Sequence, residues 1–212
     1  MRVIFLSGLI RGSDDREPEA TRVLKDSRQA SEIRDRVAAL LRHSSGPQVL
    51  VLDLAGFALT PSGLQELLLP LAQRIRGGEY GAIRLVISTA DAAVADFVRY
   101  MAQAHQLPLY LTPSPLELSE GIPIGNLTTT ESSTLDTVFA LGGQVTASML
   151  AETEGLQPSA ATNRLVKLDR EGYLFRLPRG RREGDVYIEP RSATSRVFEG
   201  PYEVSHTSTD SG

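Results

Sequence analysis

The fold of the C-terminal third of the chain is indicated by the stretch PSAATNRLVKLDREGYLFRLPRGRREGDVYI, residues 158–188. Its first half predicts a helix, because proline is favoured at the first helical position and Leu165 and Leu168 follow helical spacing. Gly172 predicts the end of that helix through a left-handed cap. Two apolar runs follow, 173–177 and 185–188, and predict strands joined by a basic hairpin.

The residues before this stretch are predicted to form two further helices and a turn. Ser132 or Ser133 is predicted to cap a first helix, residues 144–146 lead into a second, and 155–157 form a tight turn before the third. Three helices followed by a basic hairpin resemble the winged helix-turn-helix of MarR-like bacterial regulators. The resemblance implies that the third helix enters the major groove of DNA and that the hairpin touches the backbone or the minor groove.

Charge is concentrated in the same region. Residues 156–182 contain seven basic and two acidic side chains, a net charge of +5 in a chain whose total is −4. The remainder of the chain must therefore carry −9. This asymmetry is what a local anionic partner such as DNA would favour.

The expected DNA contacts lie on the third helix and on the hairpin. A recognition helix needs small or polar side chains on its leading turns so that its backbone can approach the bases. Asn163 can pair with adenine and Arg164 with guanine, whereas the hairpin arginines suit phosphates or the minor groove. The full set of expected contacts is Ser159, Thr162, Asn163, Arg164, Lys167, Arg179, Arg181 and Arg182.

The first 112 residues alternate apolar runs with helical patterns. Strands are predicted near residues 3–6, 49–54, 83–87 and 109–111, and helices between them, one of which is expected to start at Ser88 or Thr89. The nearly continuous apolar run at 49–54 is typical of a strand covered on both faces. Thr60 and Pro61 suit the cap and the first position of one such helix. Strand–helix alternation predicts an α/β domain with a mostly parallel sheet.

Three motifs of this half resemble the STAS family and the STAS-like domains of bacterial regulators. The stretch 26–30, DSRQA, is similar to the opening of the first STAS helix, and 49–56, VLVLDLAG, is similar to the strand that ends in Asp-Phe-x-Gly. The turn 60–64, TPSGL, occupies the position that carries the phosphoacceptor in anti-sigma-factor antagonists. The resemblance covers residues 1–112 and implies a STAS-like fold with a role in dimerisation or partner sensing.

The turn at 60–63 departs from the antagonist pattern, which reads Asp-Ser-Ser-Gly. Pro61 occupies the acceptor position and the neighbouring acid is missing, which argues against the phosphoserine switch. Thr60 and Ser62 remain candidates for a regulatory turn, although capping of a helix explains the same residues.

Two segments are predicted to lie outside the domains. Residues 113–130 are rich in proline, glycine and serine or threonine, which predicts an extended linker. Residues 191–212 are predicted to form a flexible tail. The expected winged helix-turn-helix domain thus spans residues 131–190.

Several functional classes lack support in the sequence. No cysteine occurs, so disulfides and thiolate metal ligands are excluded, and the three histidines are widely spaced. The chain has no Gly-rich phosphate loop and no Gly-x-Ser-x-Gly motif, so we predict neither an enzyme nor a cofactor. No apolar run reaches 18 residues, and the expected compartment is the cytoplasm.

These observations predict a DNA-binding transcriptional regulator, expected to act as a homodimer because one winged helix makes few specific contacts. In the alternative, the chain is a protein–protein interaction module, with a STAS-like regulatory partner half and a winged helix that docks protein instead of DNA. Its partners would then be regulatory proteins.

Overall fold

A computed structural model describes residues 2–5, 22–24, 27–41, 46–55, 57–179, 184–192 and 196–197. In this part of the chain the strands are β1 (Arg2–Phe5), β2 (Arg22–Leu24), β3 (Gln48–Asp53), β4 (Phe57–Leu59), β5 (Ile83–Ser88), β6 (Leu109–Thr112), β7 (Ile122–Ile124), β8 (Gln144–Thr146), β9 (Phe175–Leu177), β10 (Val186–Ile188) and β11 (Arg196–Val197). The α-helices are α1 (Ser27–Leu41), α2 (Pro61–Arg76), α3 (Ala92–Ala104), α4 (Thr129–Ala140), α5 (Ala147–Glu154) and α6 (Pro158–Glu171).

The largest sheet has six strands in the order β11-β1-β3-β5-β6-β7. All neighbouring strands are parallel except β7, which runs antiparallel to β6. This confirms the mostly parallel sheet predicted from the alternation of apolar runs and helices. A second pair of strands, β2 and β4, is also parallel.

The two faces of the large sheet belong to two different cores. Leu50 and Leu52 of β3 lie in one core with buried residues of α1, α2 and α3, including Val37, Leu68 and Val98. The alternate residues of the same strand, at 49 and 51, lie in the other core. The prediction that this strand is covered on both faces is therefore confirmed.

The second face of the sheet is covered by the segment from α4 to β10, residues 129–188, which is called the C-terminal half below. Val49, Val51 and Tyr110 share one buried cluster with Leu135 of α4 and Leu165 of α6. Within this half, β8, β10 and β9 form an antiparallel sheet in that order; β8 lies between α4 and α5 in the chain, and β9 and β10 follow α6. The C-terminal half thus packs directly against the strands.

Two helices begin earlier or later than the sequence suggests. The start of α4 is capped by Thr128 and not by Ser132 or Ser133, because Thr128 forms a capping box with Glu131. The helix predicted to start at Ser88 or Thr89 is capped by Asp91, whose carboxylate accepts hydrogen bonds from the first turn. The bounds of α6 and its left-handed cap at Gly172 agree with the prediction.

The segment 113–130, expected as an extended linker, contains packed structure. It holds a 3-10 helix, Leu118–Glu120, and the strand β7, with Leu118 and Ile124 buried. The segment after residue 190, expected as a flexible tail, includes β11, which pairs with β1 at the far edge of the sheet. Pairing with the preceding strand β6 orders β7, and pairing with β1, which is distant in sequence, orders β11. Residues 198–212 lie outside the described part.

The C-terminal half is consequently attached to the large sheet at both of its ends. The chain enters this half from β7 at one edge of the sheet and leaves it to β11 at the opposite edge. In addition, none of the helices in the described ranges is long and apolar enough to cross a membrane.

Candidate nucleic-acid interface

The first half of α6 presents a polar face to solvent. Ser159, Thr162 and Asn163 are exposed, and the Thr162 hydroxyl donates to the carbonyl of Pro158 at 2.9 Å. The N-cap residue, Gln157, makes no side-chain cap hydrogen bond. The positive end of the helix dipole is therefore not occupied by a capping side chain and remains open to an anionic group.

The opposite face of α6 anchors the helix in the core. Ala161, Leu165 and Leu168 are buried among residues of α4, α5 and the large sheet. Three- and four-residue spacing of these side chains leaves the other positions of the helix turned outwards. The core contacts therefore determine which side chains of α6 a partner can reach.

Arg164, predicted to contact guanine, is held by a carboxylate of the preceding helix. Its Nη1 lies 2.6 Å from Oε2 of Glu154, and both side chains are partly buried. This ion pair connects α6 to α5. Arg164 can contact a base only if it gives up, or shares, that carboxylate.

Lys167 is paired with two carboxylates. Its ammonium contacts Glu131 of α4 and lies 3.7 Å from Glu171 on its own helix. The hydrogen bond to Glu131 and the charges of both carboxylates raise the pKa of Lys167. Lys167 is therefore a link between α4 and α6 as well as an exposed cation.

Glu131 was not identified as a functional residue from the sequence, although the pattern Thr128-x-x-Glu131 indicates a capping box. Its carboxylate accepts from the Thr128 backbone N–H at 2.7 Å and contacts Lys167. Burial alone raises the pKa of Glu131, but the hydrogen bonds from Lys167 and Thr128 outweigh burial and leave it lowered. The same carboxylate thus caps α4 and holds α6.

The hairpin that follows α6 is described only at its base. Arg176 of β9 and Asp185 form an ion pair across it, with Nε and Oδ2 2.6 Å apart, and Arg179 is exposed. Arg181 and Arg182 lie outside the described residues. Of the predicted hairpin cations, Arg179 is the one whose exposure the structure establishes.

The last turn of α6 is fastened to the large sheet by Arg84 of β5. The Arg84 guanidinium donates to the carbonyl of Leu174 at 2.9 Å and lies 3.3 Å from the carboxylate of Asp169. It also lies over the Phe175 ring, 4.7 Å from the centroid. Burial lowers the pKa of Arg84, although the Asp169 charge opposes this effect. Neither residue was singled out in the sequence, because their pairing joins positions 85 residues apart.

Tyrosine side chains form a second connection between the sheet and the C-terminal half. The fully buried Tyr110 donates to the carbonyl of Tyr173 at 2.8 Å, and the Tyr173 hydroxyl donates to the carbonyl of Ile124 at 3.1 Å. Both phenols are removed from water, and burial raises the pKa of each. These hydrogen bonds fix α6 relative to the strands.

The proposed regulatory turn lies apart from this surface. The Thr60 hydroxyl accepts from the backbone N–H of Gly63 at 3.1 Å, which confirms Thr60 as the cap of α2, and Ser62 is exposed. Because α2 packs on the opposite face of the sheet from α6, Thr60 and Ser62 do not join the candidate interface. No group of three metal-binding side chains occurs among the residues that the structure describes.

Neither known protein families nor curated proteins provide a match to this chain. The STAS-like and MarR-like resemblances consequently rest on the residues and motifs quoted above.

Proposed function

We propose that the C-terminal third is a winged helix-turn-helix and that the protein is a transcriptional regulator that binds double-stranded DNA. The observation that carries the proposal is the exposed polar face of α6 at Ser159, Thr162 and Asn163. It lies at an end of the helix without a capping side chain, and a basic hairpin follows the same helix. These are the two surfaces with which winged helices contact DNA.

Asn163 is the best-placed residue to contact a base. Its amide can form two hydrogen bonds with adenine, and the side chain is exposed. Arg164 is in a different position, because contact with guanine requires exchange of the Glu154 carboxylate. We therefore assign base recognition first to Asn163 and Thr162, with Arg164 in a secondary role.

The remaining cations are assigned to phosphates. Arg179 is exposed, and Arg181 and Arg182 occupy the same basic segment of the sequence. Lys167 is also exposed, although two carboxylates reduce its net attraction for DNA. Phosphate contacts supply affinity and register without sequence information.

In this proposal the α/β half, which we regard as STAS-like, positions the winged helix and provides the dimer contact. A homodimer would place two copies of α6 on successive turns of the duplex. Because one chain has a mass of 23.0 kDa, light scattering coupled to gel filtration distinguishes a monomer from a dimer. A species of one chain both with and without DNA would contradict dimerisation. The proposed compartment is the cytoplasm.

DNA binding is tested by fluorescence anisotropy on a duplex from the region upstream of the protein's own gene, at about 50 and 200 mM salt. We expect affinity to fall steeply with salt. The triple variant Arg179→Ala, Arg181→Ala, Arg182→Ala should reduce the slope of log affinity against log salt by about 2 to 3. Asn163→Ala should weaken binding to the preferred sequence by about tenfold and affect random DNA much less.

Arg28→Ala is the control for loss of an exposed arginine, because it removes one charge from α1 on the other side of the sheet, whereas the hairpin variant removes three. It should leave DNA affinity unchanged. Absence of DNA binding at low salt, or equal effects of the hairpin and control variants, would contradict the proposal. Stoichiometric copurification of a protein without DNA affinity would select the alternative, a protein-docking module.

A further inference from the structure

A cleft of about 160 Å³ lies where the last turn of α6 meets the end of α2 and the first residues of β5 and β6. Its inner wall is apolar and includes Ile75, Ile83 and Leu109. An apolar cavity of about 150 Å³ is large enough to hold benzene. The space therefore admits a compact apolar group, but it is smaller than the usual pocket for a drug-sized ligand.

The rim of this cleft carries an excess of positive charge. Arg76, Arg84 and Arg170 line it together with two carboxylates, those of Asp169 and Glu171. Arg84 lies 3.3 Å from Asp169, and Lys167, which also contacts Glu131, lies 3.7 Å from Glu171. The charge of Arg76 also acts on Glu171, so the lining as a whole carries an excess of one positive charge.

Two of the three guanidinium groups, those of Arg76 and Arg170, form no ion pair with a residue that the structure describes. Arg76 donates one N–H to the carbonyl of Gln106 at 3.1 Å and is exposed, and among the described carboxylates Glu171 lies near enough to interact with its charge without forming an ion pair. Arg170 forms no ion pair within the described part of the chain and is exposed. A guanidinium in this situation favours a carboxylate or phosphate, with which it forms charge-assisted hydrogen bonds.

We propose that this cleft binds a small organic anion with one carboxylate or phosphate group and a compact apolar part, and that the anion regulates the DNA-binding half. Arg76 and Arg170 would hold the anionic group at the rim, and the apolar part would rest against the inner wall. The regulatory part of this inference rests on the proposed DNA-binding function, whereas the binding site itself does not.

The position of the cleft explains why a ligand there would act on α6. Its walls come from the sheet half and from the last turn of α6, so a bound anion contacts both. The C-terminal half is connected to the sheet through β7 and β11, and these two connections restrain rotation of one half relative to the other. The cleft lies at the margin of the junction between the halves, beside the last turn of α6, so a ligand bound there acts where α6 meets the sheet half.

The binding site is tested on the full chain without DNA. Benzoate and phenyl phosphate are titrated in separate experiments, with benzyl alcohol as the uncharged control, and binding is followed by NMR shifts of the amides lining the cleft. We expect saturable binding of at least one anion and none of the alcohol. The stronger of the two anions identifies the preferred group, carboxylate or phosphate.

Variants distinguish binding of the anion in the cleft from nonspecific attraction of anions to positive charges on the surface. Arg76→Ala and Arg170→Ala should each weaken anion binding by about tenfold, and Arg76→Lys should recover part of the loss. Arg99→Ala is the control, since Arg99 is paired with Asp96 on α3, outside the cleft. Thermal unfolding verifies that each variant is folded. Equal binding of the alcohol, no saturation, or unchanged binding by folded Arg76→Ala and Arg170→Ala would overturn the site.

Regulation is tested separately, by DNA anisotropy with and without the saturating anion. We expect at least a threefold change in DNA affinity, and the same factor must appear in the anion's affinity when DNA is saturating. Anion binding without any change in DNA affinity would overturn the regulatory role and leave the site standing. Anion binding in a protein without DNA affinity would instead contradict the proposed function alone.

Discussion

Arg84 demonstrates how one side chain can connect parts of the chain that are distant in sequence. It lies on β5, yet its guanidinium contacts the end of α6 and the residue just before β9. Its side chain is only 13% exposed, so these hydrogen bonds replace those that water would otherwise make. Loss of the guanidinium would leave the Leu174 carbonyl and the Asp169 carboxylate without this donor.

We therefore predict that Arg84→Met lowers the free energy of unfolding by about 2–3 kcal/mol. The measurement is urea denaturation of the variant and the wild type. Arg28→Met is the control, because the Arg28 side chain is 88% exposed and pairs with Glu32 only at the surface. The control should stay within about 0.5 kcal/mol. Equal effects of the two substitutions would contradict the role assigned to Arg84.

Glu131 gives a prediction about acid stability. A carboxylate whose pKa is lowered in the folded state stabilises the fold above its unfolded-state pKa, and this stabilisation is lost as the pH falls through the folded-state pKa. The pKa of Glu131 is lowered by Lys167 and Thr128 despite the opposing effect of burial. Glu131→Gln should therefore be less stable than wild type at neutral pH.

The difference between Glu131→Gln and wild type should shrink as the pH is lowered from about 7 to about 3. Urea unfolding across this range measures it. Glu32→Gln, at an exposed ion pair of α1, is the control and should show little pH-dependent difference. Curves for wild type and Glu131→Gln that remain parallel at all pH values would exclude the proposed linkage.

At the scale of residues, the sequence predicts which side chains of α6 are exposed better than it predicts their partners. Helical spacing of Leu165 and Leu168 places Asn163 on the outer face, and the structure agrees. The ion pair between Arg164 and Glu154 depends on the angle between α5 and α6, which spacing along one helix does not determine. The acidic partners on other helices, Glu154 of Arg164 and Glu131 of Lys167, were missed for this reason.

At the scale of elements, α2 contains a proline in its interior. Pro70 has no N–H, so the carbonyl of Glu66, four residues earlier, lacks its usual helical donor. The guanidinium of Arg34, on the neighbouring helix α1, donates to that carbonyl. A donor from another helix thus compensates for the missing helical hydrogen bond.

A double-mutant cycle tests this compensation. Arg34→Met should destabilise the wild type by about 1 kcal/mol, but have a smaller effect in a Pro70→Ala background, where the alanine N–H supplies the missing donor. The measurement is the free energy of unfolding of all four proteins. A coupling energy near zero would show that Arg34 does not compensate for Pro70.

The elements that the sequence predicts well are those with strong local signals. Proline at the start and glycine at the end define α6, and at Gly172 the left-handed φ of 99° requires a residue without a side chain. The strands β7 and β11 have only three and two residues, and β7 contains Pro123. Their existence depends on pairing with β6 and β1, which no local pattern reports.

At the scale of the whole molecule, both faces of the large sheet are buried. One face is buried by α1, α2 and α3, and the other is buried by the C-terminal half. The sequence predicts the two halves and their order but not their contact, because strands covered on both faces give the same apolar run whatever covers them. The position of α6 relative to the sheet is consequently known only from the structure.

We predict that neither half folds cooperatively alone. Fragments 1–112 and 131–190 would each expose the apolar side chains that now form their shared core, including Val51 and Tyr110 on one side and Leu135 and Leu165 on the other. Circular dichroism and thermal unfolding of each fragment, compared with the full chain, measure this. A sharp unfolding transition in either isolated fragment would contradict the prediction.

The strand β11 has a further consequence for the sheet. It pairs with β1 on the side that β3 does not occupy, so it covers hydrogen-bonding groups of β1 that would otherwise be open to another chain. Uncovered strand edges are templates for intermolecular pairing. A chain that ends before residue 196 would therefore expose the four-residue edge of β1, whereas the two-residue β11 is a shorter template for intermolecular pairing.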